Sequence, residues 1–319
     1  MPEVAVVDEL EGTFDELEET FIIENPGKQM LLVQSQGSPR DPSYAEQMLD
    51  LYGEEVSFYS YFRRKGIKVL KEDLVNSCHG CSQLTLDLAG QIDELARQGH
   101  RIVAVQQGGL LFAKPSIEAA NMPTVPVISI PLDRIAFLAP YVPSGTAVIG
   151  GVPVNGYQTA ANVASAILNN TFEGVYTLNG SDRLKAKLDE LRIPILGQVE
   201  QGLDDGLVVG TLRIKHGHYN IPSTLNIDDI KDFDSLGDMG VFTLANNDPE
   251  YVKSFAHFPA CNNNLFTRSM YVRGDENIAF MAAKIMAAYH PDIAGALRTA
   301  AEKKAGNYQE RNITLDAFI

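Results

Sequence analysis

Residues 84–109 read LTLDLAGQIDELARQGHRIVAVQQGG, and their pattern decides the fold. Leu84, Leu88, Ile92 and Leu95 recur at helical spacing, which gives the segment one apolar face. Arg101–Val105 (RIVAV) then forms a short continuous apolar run that ends in Gln-Gln-Gly-Gly, the pattern of a strand buried on both faces. Upstream, Met30–Ser35 (MLLVQS) is a second such run and ends in QGSPRD; Tyr44–Tyr52 follows with helical periodicity, completing a strand–loop–helix unit. Downstream come a short helix at Ser116–Ala120, strands at Val125–Ile130 (VPVISI) and Ala147–Val152, and a small-residue helix at Thr159–Leu168. Strands alternating with helices predict an α/β fold with a parallel sheet and right-handed crossovers.

The chain has 319 residues, enough for two domains with cores of their own, and a formal net charge of −15. That charge argues against nucleic acid as a partner, because a nucleic-acid binder needs clustered Lys and Arg to displace counterions from phosphates. A single phosphate on a small ligand remains compatible, since a few N–H donors at a helix N-terminus hold it. No run of eighteen apolar residues is present, so no membrane span is expected. The opening MPEVAVVDELEGTFDELEET is acidic and has no basic region ahead of an apolar one, unlike a secretory signal. Three cysteines, Cys78, Cys81 and Cys261, are too few and too odd for a disulfide framework, so a reducing, cytoplasmic setting is expected.

A weak internal repeat divides the chain. The segment from Val127 (VISIPLDRIAFLAPYVPSGTAVIGGVPVNGYQTAANVASAILNN) and the segment from Val241 (VFTLANNDPEYVKSFAHFPACNNNLFTRSMYVRGDENIAFMAAKIMAAYH) share one order. Each runs strand, Asp-containing loop, aromatic helix, proline, strand, Ala-rich helix. Upstream of each, VQSQGSPRD and YTLNGSDRL place Gly-Ser between a strand and a helix. The reading is a duplication, with an acidic arm at 1–29, a first unit at 30–172 and a degenerate second unit with a C-terminal tail at 173–319. The spacing after Gly-Ser is shorter in the second unit, which therefore lacks an element.

Three short motifs in the first unit carry a family resemblance: Gly37-Ser38-Pro39-Arg40-Asp41, Ser77-Cys78-His79-Gly80, and Gln107-Gly108-Gly109-Leu110-Leu111, followed by the Ala-rich helix. In this order they resemble the aminoimidazole ribonucleotide carboxylase/mutase family over roughly residues 30–170. The resemblance implies a flavodoxin-like, Rossmann-like three-layer domain, here as two tandem copies with the second degenerate. It also implies a site assembled from the three loops, no metal and no organic cofactor. The chemistry it implies moves CO2 onto an aminoimidazole ribonucleotide, as a lyase or isomerase of purine biosynthesis. The partner is then a nucleotide-like small molecule, and the assembly a homo-oligomer. His79 is expected to carry the proton. Gly37, Ser38, Arg40, Asp41, Ser77, Gln107, Gly108 and Gly109 are expected to bind substrate: glycines for close backbone approach, Ser38 for the phosphate, Asp41 for ribose hydroxyls. The sequence departs from the family where Arg40 replaces a serine, where Gly80 replaces an arginine, and where Phe112, Ala113 and Lys114 stand in the region of a second histidine.

Other readings of the same residues stand beside these. Gly-Ser-Pro-Arg-Asp is an ordinary turn composition, and Gln-Gly-Gly an ordinary strand-to-helix connector. Cys78-His79-Gly80-Cys81 has the spacing of a redox pair or half a zinc site; His216, His218 and Cys261 would have to complete the latter. Gly53–Val69 reads as an insertion, its aromatic Phe58–Phe62 as an interface or lid, and Arg63, Arg64 and Lys65 as a basic patch replacing the lost phosphate arginine or a solvated loop. Two further functions stay open: an enzyme of the same fold on another small anion, and a non-catalytic nucleotide-binding or assembly protein. The tail Asn307–Ile319 is expected to reach a neighbouring subunit.

Overall fold

The strands follow one another as β1 (Met30–Gln36), β2 (Met48–Leu51), β3 (Glu54–Ser57), β4 (Lys68–Val69), β5 (Arg101–Gly108), β6 (Val127–Pro131), β7 (Thr146–Val148), β8 (Val175–Leu178), β9 (Ile195–Gln198), β10 (Leu207–Leu212), β11 (Met239–Leu244) and β12 (Ser269–Tyr271). The helices are α1 (Phe58–Arg64), α2 (Ser82–Arg97), α3 (Ala113–Asn121), α4 (Pro153–Asn169), α5 (Asp182–Glu190), α6 (Gly274–Ala287) and α7 (Pro291–Gln309). They belong to a computed structural model that describes residues 29–37, 43–44, 48–51, 54–72, 74–76, 80–108, 113–131, 146–148, 153–199, 206–212, 239–244, 269–272 and 274–309.

The fold is α/β with parallel pairing, as the alternation of elements predicts. Ten strands form one sheet in the order β4-β1-β5-β6-β7-β12-β11-β10-β8-β9. Within residues 30–172 the sheet strands β1, β4, β5, β6 and β7 therefore lie in the order second, first, third, fourth, fifth. Residues 173–319 repeat that order with β8 to β12. It is the doubly wound order of flavodoxin-like sheets. Neighbours are parallel throughout the sheet except at its middle, where β7 and β12 meet antiparallel through Val148 and Tyr271. The two stretches thus share one sheet rather than forming sheets of their own.

Side-chain alternation along β1, β5 and β6 builds two cores. Leu31, Val33, Ile102, Ala104 and Val127 pack with Leu88 and Ile92 of α2 and with Met122 just beyond α3. Leu32, Val103, Val105, Ile128 and Ile130 pack with α1 and α4 in the other core. This is how a strand with helices on both faces must be written: apolar at every position, with the period-2 pattern deciding only which layer each side chain meets. The apolar stripe read at 84–95 forms α2, which buries Leu88, Ala89 and Ile92. The helix stops where Gly99 takes φ +91°, a left-handed position that glycine fills without strain.

Three expectations are corrected. The helical periodicity of Tyr44–Tyr52 does not produce a helix at Met48–Leu51; those residues form β2, paired antiparallel with β3. Gly53–Val69 is no insertion, because it contains α1 and β4, which carry the chain from β1 to the neighbouring strand. The aromatic Phe58–Phe62 is neither lid nor exposed interface: Phe58 and Phe62 are fully buried and Tyr59 is 2 % exposed. They form a tilted and edge-on ring cluster with Tyr44 and Tyr157, with Tyr44–Phe58 centroids 5.0 Å apart. Arg63, Arg64 and Lys65 are exposed; Arg63 pairs with Glu72, and Lys65 lies 5.0 Å over the ring of Tyr61. Among the described residues no helix is long and apolar enough to cross a membrane.

Candidate functional site at the carboxyl edge of β1 and β5

In open parallel sheets the loops at the carboxyl ends of the strands form the ligand crevice. Here the register brings three such ends level. Gln36 at the end of β1 lies opposite Gln107 of β5, Gln107 lies opposite Ile130 of β6, and Gln36 also bridges Val75 in parallel. The backbone closes this edge further: Gln36 N–H donates to Leu74 O and Asn76 N–H to Gln36 O, both at 2.9 Å. The segments after Gln36, after Asn76 and after Gly108 therefore leave the sheet from neighbouring positions. They are the segments that carry the residues expected from sequence.

Of those residues the structure describes Gly37, Gln107 and Gly108. Ser38, Arg40, Asp41, Ser77, His79 and Gly109 lie outside the described residues, as do Cys78, Cys261, His216 and His218. Gly80 is described and exposed, and Cys81 is an exposed free thiol at the N-terminus of α2.

What can be seen at the edge is a buried, uncharged polar chain. The side-chain amide of Gln107 donates to Gln36 Oε1 at 3.0 Å, and the hydroxyl of Tyr157 from α4 donates in turn to Gln107 Oε1. Tyr44 supports the same corner, its hydroxyl donating to Ser35 O at 3.3 Å and to Val105 O at 3.4 Å. At the start of α2, Thr85 donates to Asn76 Oδ1 at 2.9 Å. On the other side of the strands, Gln106 and Ser129 are register partners and both are buried. Gln106 Oε1 and Ser129 Oγ have no hydrogen-bond partner among the described residues. Burying such an atom without a partner costs about 1–3 kcal/mol, so these two are places where a ligand or water would be welcome.

Amides and hydroxyls of this kind offer donors and acceptors without charge. They suit a planar heterocycle with its own ring nitrogens and amino groups better than a lone phosphate. Sequence reading missed Gln36, Tyr44, Asn76, Tyr157 and the Gln106–Ser129 pair. The available signal was the recurrence of glutamine at the ends of two strands, Gln34 and Gln36 in β1 and Gln106 and Gln107 in β5. An amide inside an otherwise apolar strand must find a buried partner.

The second Gly-Ser is accounted for differently. Ser181 is the N-cap of α5, accepting from Leu184 N–H at 3.0 Å, and its hydroxyl donates to the carboxylate of Asp275 from the first turn of α6. The capping hydroxyl at this helix N-terminus is thus held by the protein's own Asp275 carboxylate.

No protein family, no curated protein and no solved structure matches the chain.

Proposed function

We propose that the chain is a carboxylase/mutase-like enzyme acting on an aminoimidazole ribonucleotide or a related nucleotide, at the carboxyl edge of β1 and β5. The observation that carries the reading is the level register of Gln36, Val75 and Gln107. It brings level the described strand ends from which the three motif-bearing segments depart, beside a buried chain of neutral donors and acceptors. In this reading Gln107 and the backbone after it face the base. Ser38 and the segment after β1 hold the phosphate, and His79 moves the proton. The buried rings of Tyr44, Phe58 and Tyr157 beside Gln107 support a water-poor setting for the reaction. The repeated strand order supports two flavodoxin-like copies derived by duplication. Asp275 on Ser181 supports a scaffold role for the second, degenerate copy.

The test is calorimetric titration of the full chain with aminoimidazole ribonucleotide and with its carboxylated form, for wild type and His79→Asn. Binding of both by wild type, with turnover lost in His79→Asn while binding stays, is the expected result. Absence of binding by a folded wild type overturns it. The second reading is an enzyme of the same fold on another small anion. It is favoured by Gly80, which follows His79 where the family resemblance calls for an arginine on the phosphate.

A further inference from the structure

A second cavity lies at the amino edge of the sheet, beside α3. α3 runs back from the carboxyl end of β5 to the start of β6, so its C-terminus is at the amino edge of the sheet. A cavity of about 320 Å³ opens there between the end of α3, α6 and α7, with Ala119, Phe280, Leu297 and Ala301 in its walls and Lys304 exposed in its lining. That volume is at the small end of ligand pockets. Lys284 also lines it. This lysine is 4 % exposed on a helix that is otherwise buried through alanine, isoleucine and methionine.

In its charged form Lys284 has one N–H more than the protein uses. Its Nζ donates to Ala119 O and Met122 O, each at 3.1 Å, at the end of α3, where Met122 O also accepts from Val125 N–H at 3.2 Å. An ammonium has a third N–H, and no described residue accepts from it. The nearby acid Asp93 is already engaged by Arg97 at 3.0 Å and by both of its oxygens with Arg298, at 3.2 and 2.9 Å. No carboxylate lines the cavity, and its second charged residue, Lys304, is again a cation. The lining is apolar apart from these two lysines, and Lys304 also acts on the carboxylate of Glu276.

We propose that this cavity binds a small aliphatic carboxylate, with the acid group on Lys284 Nζ and the hydrocarbon against the alanines of α7. A buried lysine whose charged form lacks one acceptor supplies the polar end, and the Ala and Phe walls supply the apolar end. Burial holds Lys284 well below its ordinary value, at about 7, so an arriving carboxylate also restores the charged form.

The experiment uses the full chain, sodium octanoate as probe and octan-1-ol as the uncharged control, read by thermal shift and calorimetry. Octanoate is expected to raise Tm and bind, and octan-1-ol to do neither at the same concentration. Lys284→Met is expected to lose octanoate affinity about tenfold or more, the scale of one charge-assisted hydrogen bond. Ala301→Phe keeps the lysine and fills the cavity, and it should lose binding as well, which carries the test if Lys284→Met does not fold. Equal stabilisation by octan-1-ol, full affinity in either variant, or no octanoate binding overturns the proposal.

Discussion

Gln107 shows how one residue can be found by sequence for a reason the structure then enlarges. Its place before two glycines marks it as a site residue, but its amide partner, Gln36, lies 71 residues away, and sequence order gives no hint of the pairing. Tyr157 completes the chain from a third element. Replacing Tyr157 by Phe removes one buried donor and keeps the ring in its cluster. A loss of about 0.5–1.5 kcal/mol in denaturant stability is expected. Affinity at the proposed nucleotide site falls too, because Gln107 keeps its amide on Gln36 but loses the hydroxyl that holds its carbonyl oxygen. Lys284 gives a prediction in pH. Its folded value is about 7 and its ordinary value 10.5, so between them the unfolded chain holds more protons than the folded one. Stability contributed by this group therefore rises as pH increases from about 7 towards 10.5, and is flat below that range. Asp93 opposes the shift and Lys304 reinforces it. Urea midpoints taken at about pH 7 and about pH 9 should separate wild type, which gains stability, from Lys284→Met, which lacks that gain. Equal slopes would show that the lysine is not the titrating group.

Among the elements, α1 is one that the sequence hid. Seven residues, FYSYFRR, are too short for periodicity to distinguish a core helix from an exposed aromatic patch. What fixes it is local and tertiary together. Ser57 caps its N-terminus by accepting from Ser60 N–H at 3.3 Å, and Phe58 and Phe62 stack edge-on 5.0 Å apart between the sheet and α4. Phe62→Ala should cost about 3–5 kcal/mol, the range for emptying a buried aromatic site, whereas a lid would lose almost nothing. Equilibrium unfolding decides between them. The long amphipathic helix α2 and the strands β1, β5 and β6 were legible because each repeats one pattern over enough residues. The β2–β3 hairpin was not, because MLDL is too short for its apolar spacing to separate helix from strand and EEVS holds one apolar residue. Gly180-Ser181 was legible as a loop before a helix, but its function was not. Only the fold brings Asp275, 94 residues on, to the Ser181 hydroxyl. Ser181→Ala should therefore cost about 1 kcal/mol, as a lost cap does, and leave ligand binding unchanged.

At the scale of the molecule, the question is whether the two stretches of the chain can exist apart. The repeat in the sequence suggests that they can. The contacts between them argue otherwise. The sheet runs through the boundary where β7 meets β12. The connecting residues are gripped from both sides. Arg101 of the first stretch donates to Leu168 O at 3.2 Å and to Thr171 Oγ1 at 3.0 Å, and lies 4.9 Å over the ring of Tyr289. From the second stretch, the Tyr289 hydroxyl accepts from Phe172 N–H and His290 Nε2 donates to Phe172 O, both at 2.8 Å. Arg298 of α7 then reaches back to Asp93 of α2 and to Thr124. Because Asp93 is only 10 % exposed, Arg298→Leu should cost about 1.5–3 kcal/mol, the range for hydrogen bonds to a charged group. A chain whose halves fold separately would spend that loss on one of two transitions. A chain folded as one unit moves a single transition as a whole. The decisive comparison is between the intact chain and the fragments 1–172 and 173–319, followed by far-UV and near-UV circular dichroism against denaturant. Each fragment alone exposes an unpaired strand edge and half of the Arg101, Tyr289 and Arg298 contacts, so neither should show a cooperative near-UV transition until the two are mixed. Cooperative unfolding of either fragment by itself would mean that the shared sheet is an interface between finished domains.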